Sequence, residues 1–211
     1  MADIPLILFA KAPIAGRVKT RLATHCSNQQ CAEIAEILLE TTVQKAINYW
    51  PGRVLLSVAL DYQHSFLRSL VKRYELELSL QAEGDLGAKM NASLAEFGYP
   101  ASVMGCDVPH ISSEILLQAF NCLKNGQEVI GPAVDGGFYL IGVNQSTASL
   151  FSTQKWGGSE VLGTTLRLAN NANRRLYQLS SLRDIDVWED LLAASKIEPA
   201  LERYLMQQGL A

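Results

Sequence analysis

Short apolar runs recur along this chain, and each is followed by a longer stretch with apolar residues at helical spacing. That alternation limits the folds open to it. "IPLILFA" (4–10), "RVLLSVAL" (53–60), "ELELSLQ" (75–81) and "ASVMGCD" (101–107) read as strands, and "EVIGPAV" (128–134) and "GFYLIGV" (137–143) flank Asp135-Gly136-Gly137. "RRLYQL" (174–179) is a late strand. Between them the spacing predicts helices over 28–50, 64–74, 84–98, from Ser112 or Ser113 to Lys124, and from Ser159 to Asn170, with closing helices over 186–195 and 198–208. Near-continuous apolar runs suit strands covered on both faces. Strand–helix alternation then predicts an α/β fold, a three-layer α/β/α sandwich with a mostly parallel central sheet. The 211 residues suit one domain spanning 1–211, with 48% hydrophobic and 18% charged residues placing it among globular chains.

Several classes drop away. The formal net charge is -3 and no basic domain exists, which argues against nucleic acid as partner. No apolar stretch approaches the roughly 20 residues of a membrane-spanning helix. Asp3 stands where a signal peptide would carry positive charge, so the expected location is cytoplasmic. Cys26, Cys31, Cys106 and Cys122 form no C-x-x-C pair, and with His25, His64 and His110 they make no zinc pattern. They read as free thiols in a reducing compartment.

In parallel sheets, ligands sit beyond the carboxyl ends of the strands. Three stretches lie there. "KAPIAGRVKTR" (11–21) holds Lys11, Arg17, Lys19 and Arg21 with no acid, and Gly16 allows a tight turn. Neither a Walker A nor a Rossmann glycine pattern is present, yet four cations at a strand end point to phosphate. The alternative is a solvated surface loop. In "MGCDVPHIS", Asp107 at a strand end suits Mg2+ or Mn2+ shared with phosphate, and equally suits an N-cap or Asx turn. In "GPAVDGGFYLIG", Asp135-Gly136-Gly137 reads first as a hairpin turn, and second as a place where a ligand nears the backbone while Asp135 accepts a proton.

Taken together, "FAKAPIAGRVKTRL", "QAEGDLGAKM", "GCDVPHIS", "GPAVDGGFYLIG" and "DIDVWEDL", in that order, closely resemble a bacterial family of largely uncharacterised GT-A-like proteins, some described as arsenosugar-biosynthesis glycosyltransferases. The likeness runs from about Ile4 to Leu192. It implies the nucleotide-diphospho-sugar transferase (GT-A) fold, which also serves nucleotidyltransferases. By position it implies a first nucleotide-binding loop from Lys11 through Ala12, Pro13, Gly16, Arg17 and Lys19 to Arg21. Asp85 and Lys89 would form a second segment of that pocket. Asp107 would be a metal ligand, with Asp186 as a second contact or, on its own spacing, a helix N-cap. Asp135, Gly136, Gly137 and Trp156 would face the sugar or second substrate. Where the family often has Trp-Ser-Thr, this chain has Trp156-Gly157-Gly158-Ser159.

The expected function is a metal-dependent glycosyltransferase using Mg2+ or Mn2+, a nucleotide-diphospho-sugar and a small-molecule acceptor, with Asp135 as the base. The alternative is a guanylyltransferase-like nucleotidyltransferase, taking a nucleoside triphosphate and a phosphorylated acceptor. A nucleotide-binding module without catalysis is the third reading. Donor base, donor sugar, acceptor, stereochemical outcome and any homodimer stay open.

Overall fold

A computed structural model describes residues 3–59, 61–151 and 155–210. Its centre is a seven-stranded sheet formed by β1 (Leu6–Lys11), β2 (Val54–Ala59), β3 (Glu77–Leu80), β4 (Ala101–Gly105), β5 (Glu128–Pro132), β6 (Phe138–Val143) and β7 (Leu176–Gln178). The spatial order is β3-β2-β1-β4-β6-β5-β7. Every pairing is parallel except β4 with β6 and β5 with β6. Leu60, the last residue expected in the second strand, lies outside the described residues.

The apolar strands are covered on both sides because successive side chains point to opposite faces. Leu6, Leu8 and Ala10 of β1 pack with α1 (Asn28–Tyr49), α2 (Ser65–Tyr74) and α4 (Ser113–Lys124). Ile7, with Phe9 against the same cluster, packs toward α3 (Leu86–Phe97), α5 (Ala148–Phe151) and α6 (Val161–Asn171). A third cluster sets α1 against α7 (Trp188–Ser195) and α8 (Pro199–Gln207). The chain therefore has the expected α/β architecture, with helices on both faces of a mostly parallel sheet.

Three local expectations change. The late strand shrinks to Leu176–Gln178, because Arg174 turns into a buried pair with Glu128: its Nε and one terminal nitrogen donate to the two carboxylate oxygens at 2.8 and 2.6 Å. The helix expected from Ser159 begins at Val161, because the preceding residues turn against Gly136, whose carbonyl accepts from the Leu162 N–H at 2.8 Å. The first loop contains an unforeseen 3-10 turn over Thr20–Thr24, anchored by fully buried Leu22.

Strand order reverses direction between β1 and β4, where Phe9 and Gly105 lie in register. A crevice opens there because the chain runs from β1 toward β2 on one flank of the sheet and from β4 toward β5 on the other.

Candidate functional site

Two pockets meet beyond this switch point, and both are lined by Phe9, Leu86, Gly105 and Asp107. The first, about 400 Å³, collects Lys11, Arg17, Lys19, Arg21 and Asp186. The second, about 250 Å³, is lined by Met90, Phe138, Tyr139 and Trp156, with Asp135 of the β5–β6 turn and Asp184 of the 182–186 segment.

Lys19 organises the cationic pocket. It adopts a left-handed backbone conformation (φ 47°, ψ 36°), uncommon for a residue with a side chain, and its side chain is only 8% exposed. Its Nζ lies 2.5 Å from Asp107 Oδ1, donates to the Ile185 carbonyl at 2.6 Å and stands 4.0 Å from Asp186 Oδ1. Arg21 reaches Asp186 from the other side at 2.8 Å. Lys11 and Arg17 are exposed, and among the described residues neither is ion-paired. Their charges are therefore free for an anion.

Residues almost 170 positions apart meet here for a packing reason. Leu22 of the first loop and Ile185 bury themselves in one apolar cluster, which carries Lys19 and Asp186 together. The Ile185 N–H then bonds the Asp107 carbonyl at 2.9 Å, and the bridge between Ala133 and Leu182 runs the same segment beside the end of β5. Four aspartates, Asp107, Asp135, Asp184 and Asp186, converge as a result. Burial pushes the Asp184 carboxyl above the ordinary carboxylate range, and the neighbouring charges of Asp135, Asp186 and Asp107 push it the same way.

The simpler alternatives for these aspartates divide. Asp107 does not cap α4, since Ser112 does, accepting from the Ile115 N–H at 3.3 Å. Asp186 does not cap α7; that helix follows Val187, and Asp186 pairs with cations instead. Asp135 does make a turn, its Oδ1 accepting the Gly137 N–H at 2.8 Å. It also faces the second pocket. Gly136 has φ 92° and a Cβ there would sit 2.1 Å from the Ser159 carbonyl oxygen, so only glycine fits that turn against the 156–160 segment.

Other expected residues sit elsewhere. Asp85 caps α3, accepting from the Ala88 N–H at 2.8 Å, and neither it nor Lys89 lines either pocket. Ala12 and Pro13 are buried behind the cationic loop and Gly16 turns it; none of the three lines a pocket, nor does Gly136. Trp156 does, stacked edge-on against Phe138 and Phe151 at 6.3 and 5.4 Å between centroids. Sequence reasoning missed Phe9, Met90, Phe138 and Tyr139, which look like ordinary core residues. It also missed Asp184, although Asp184-Ile185-Asp186 repeats the D-x-D spacing and was a readable signal.

The carboxylates suit a divalent ion only in part. Among the described residues no three His, Cys, Asp or Glu side chains form a ready-made cage. Mg2+ and Mn2+ sites often use one or two carboxylates completed by substrate phosphates. Asp107, 53% exposed at the junction of the pockets, and Asp186, both reached by the Lys19 ammonium, are two carboxylates of that kind.

Comparison with known proteins agrees with the architecture. A candidate nucleotide-diphospho-sugar transferase from Desulfovibrio desulfuricans G20 superposes with a TM-score of 0.80 at 24% identity, covering 99% of this chain and 96% of that one. The inositol-1-phosphate CTP transferase from T. maritima gives 0.64 at 12% identity, covering 97% of each chain. Rv0371c from Mycobacterium tuberculosis H37Rv, in complex with manganese, gives 0.55 at 15% identity, covering 91% of this chain and 97% of that one. These likenesses establish the nucleotide-diphospho-sugar transferase type of fold. The sequence matches no curated protein. A family model described as "Uncharacterized protein conserved in bacteria (DUF2064)" matches residues 42–158, more than half of the chain. The chain belongs to this bacterial DUF2064 family.

Proposed function

We propose that this protein is a glycosyltransferase of GT-A type, using a nucleotide-diphospho-sugar donor. One observation carries the reading: a cationic pocket and an apolar, acid-bearing pocket share a wall that includes Asp107. A donor whose diphosphate lay against Lys11, Arg17 and Arg21 would place its sugar at the opening to the second pocket, where an acceptor could sit. The cations then stabilise charge growing on the departing nucleoside diphosphate, in a site partly shielded from water. Asp107 and Asp186 would hold Mg2+ or Mn2+, which when bound neutralises diphosphate charge.

Asp135 is the candidate base. In an inverting reaction it takes the proton of an acceptor hydroxyl. The freed oxygen electron pair forms the bond to the anomeric carbon. The bond from that carbon to the diphosphate oxygen breaks, and its electrons leave with the nucleoside diphosphate.

Nucleotidyl transfer is supported by Lys19, whose ammonium sits between Asp107 and Asp186 where an α-phosphate could be clamped. The chemistry distinguishes the two. Incubation with panels of nucleotide-sugars and nucleoside triphosphates, followed by 31P NMR, should yield a free nucleoside diphosphate from a nucleotide-sugar. Pyrophosphate from a triphosphate would replace this reading with nucleotidyl transfer. Nucleotide binding with neither product would favour the non-catalytic module.

A further inference from the structure

The second pocket has a charge pattern of its own. Among its described lining residues are three carboxylates, Asp107, Asp135 and Asp184, and no Lys, Arg or His. Lys19 of the neighbouring pocket balances Asp107, but Asp135 and Asp184 are left uncompensated. Lys19 and Arg21 are engaged by Asp107 and Asp186, and no ion pair involves Asp135 or Asp184 among the described residues. The remaining wall is apolar and aromatic. Phe138 and Trp156 meet edge to face, Tyr139 is almost wholly buried in the core, and the indole N–H of Trp156 is buried without a partner.

An anionic ligand would meet repulsion from Asp135 and Asp184 and find no cationic side chain in the lining to neutralise it. A positively charged amine gains twice, from carboxylates and from aromatic faces, whose quadrupoles attract cations. Apolar bulk gains from displacing water off the aromatic wall.

From this lining we infer that the second pocket selects an acceptor with an apolar body and a positively charged amine, and rejects acceptors bearing phosphate or carboxylate. This rests on the reading of the second pocket as the acceptor side. It also weighs against a phosphorylated acceptor, because the cations needed to hold one all lie in the other pocket.

Three probes share one hydroxyphenyl skeleton and differ in charge: tyramine (cationic), tyrosol (neutral) and 4-hydroxyphenylacetate (anionic). Their dissociation constants would be measured calorimetrically at pH 7.5 without nucleotide and with a chelator present. The expected order is tyramine tightest and 4-hydroxyphenylacetate weakest, with about tenfold or more between the ends. In Asp135→Asn/Asp184→Asn the spread should collapse, while tyrosol binding changes little. Asp135→Asn alone, whose amide oxygen can still accept the Gly137 N–H, serves if the double variant folds poorly, and should narrow the spread.

Equal or tighter binding of the anion, a spread that survives in the variants, or no binding of any probe at millimolar concentration would overturn the inference. Failure of the glycosyltransferase reading looks different. There the charge order holds in these titrations, and the 31P experiment shows no nucleoside diphosphate released from any nucleotide-sugar.

Discussion

Lys19 Nζ and Asp107 Oδ1 lie 2.5 Å apart, joining the first loop to the end of the central strand β4. The Lys19 side chain is thus buried as well as ion-paired, whereas Lys11, Arg17 and Arg21 are exposed. A lysine in such a place does two things: it balances Asp107 in the free protein, and it stands ready to share its charge with an incoming phosphate.

Lys19→Ala should therefore cost both stability and nucleotide affinity. Asp107 remains half in solvent, so the loss should be on the order of 1–2 kcal/mol, below that for a fully buried pair. Arg17→Ala should leave stability within about 0.5 kcal/mol of wild type and weaken nucleotide binding alone. Urea denaturation and calorimetric titration of both variants check this. Equal stability of the two would mean that the Lys19–Asp107 pair contributes nothing to the fold.

Asp107→Asn tests the metal assignment. A neutral amide is a much poorer partner for a divalent ion than a carboxylate. Nucleotide binding should lose its dependence on Mn2+ while binding without metal persists. If the titrations with and without Mn2+ still differ as in wild type, the metal lies elsewhere.

Asp135→Asn separates chemistry from architecture. The Asn oxygen can keep the bond to the Gly137 N–H, so the turn and the melting temperature should survive. Turnover should fall by roughly 10²–10⁴-fold, the usual contribution of a general base. Near wild-type rates would leave Asp135 as a turn residue only.

Asp184→Asn should stabilise the protein in a pH-dependent way. Burial and three neighbouring carboxylates raise the folded-state pKa of Asp184 above its unfolded value. Through that window the native state holds more protons than the unfolded one, so stability falls as pH rises. The Asn variant escapes this penalty. Its melting temperature should exceed wild type at pH 7 and converge with it below the ordinary carboxylate pKa of about 3.9. A gain of the same size at pH 3 and pH 7 would rule out charge crowding as the cause.

The parts of the fold that depend on local pattern were legible. Continuous apolar strands, helical spacing and the Asp-Gly-Gly turn report short-range preferences, and they place the sheet, its layers and the β5–β6 hairpin. The same locality explains why Arg174 was misjudged: a strand pattern around it says nothing of Glu128, 46 residues away, which turns it out of β7.

The sequence by itself determined that four cations would gather on one loop after the first strand, because neighbours in the chain stay neighbours in space. Only the tertiary structure decided what those cations meet. The Lys19–Asp107 and Arg21–Asp186 pairs form because Leu22 and Ile185, remote in sequence, are buried in one cluster. The second pocket arises in the same way. Phe9, Met90 and Phe138 carry no mark distinguishing them from core residues, and they become a pocket wall because the strand order reverses between β1 and β4 and leaves a crevice there. Periodicity along a chain records which face of an element is apolar; whether that face meets another element or open space depends on long-range packing.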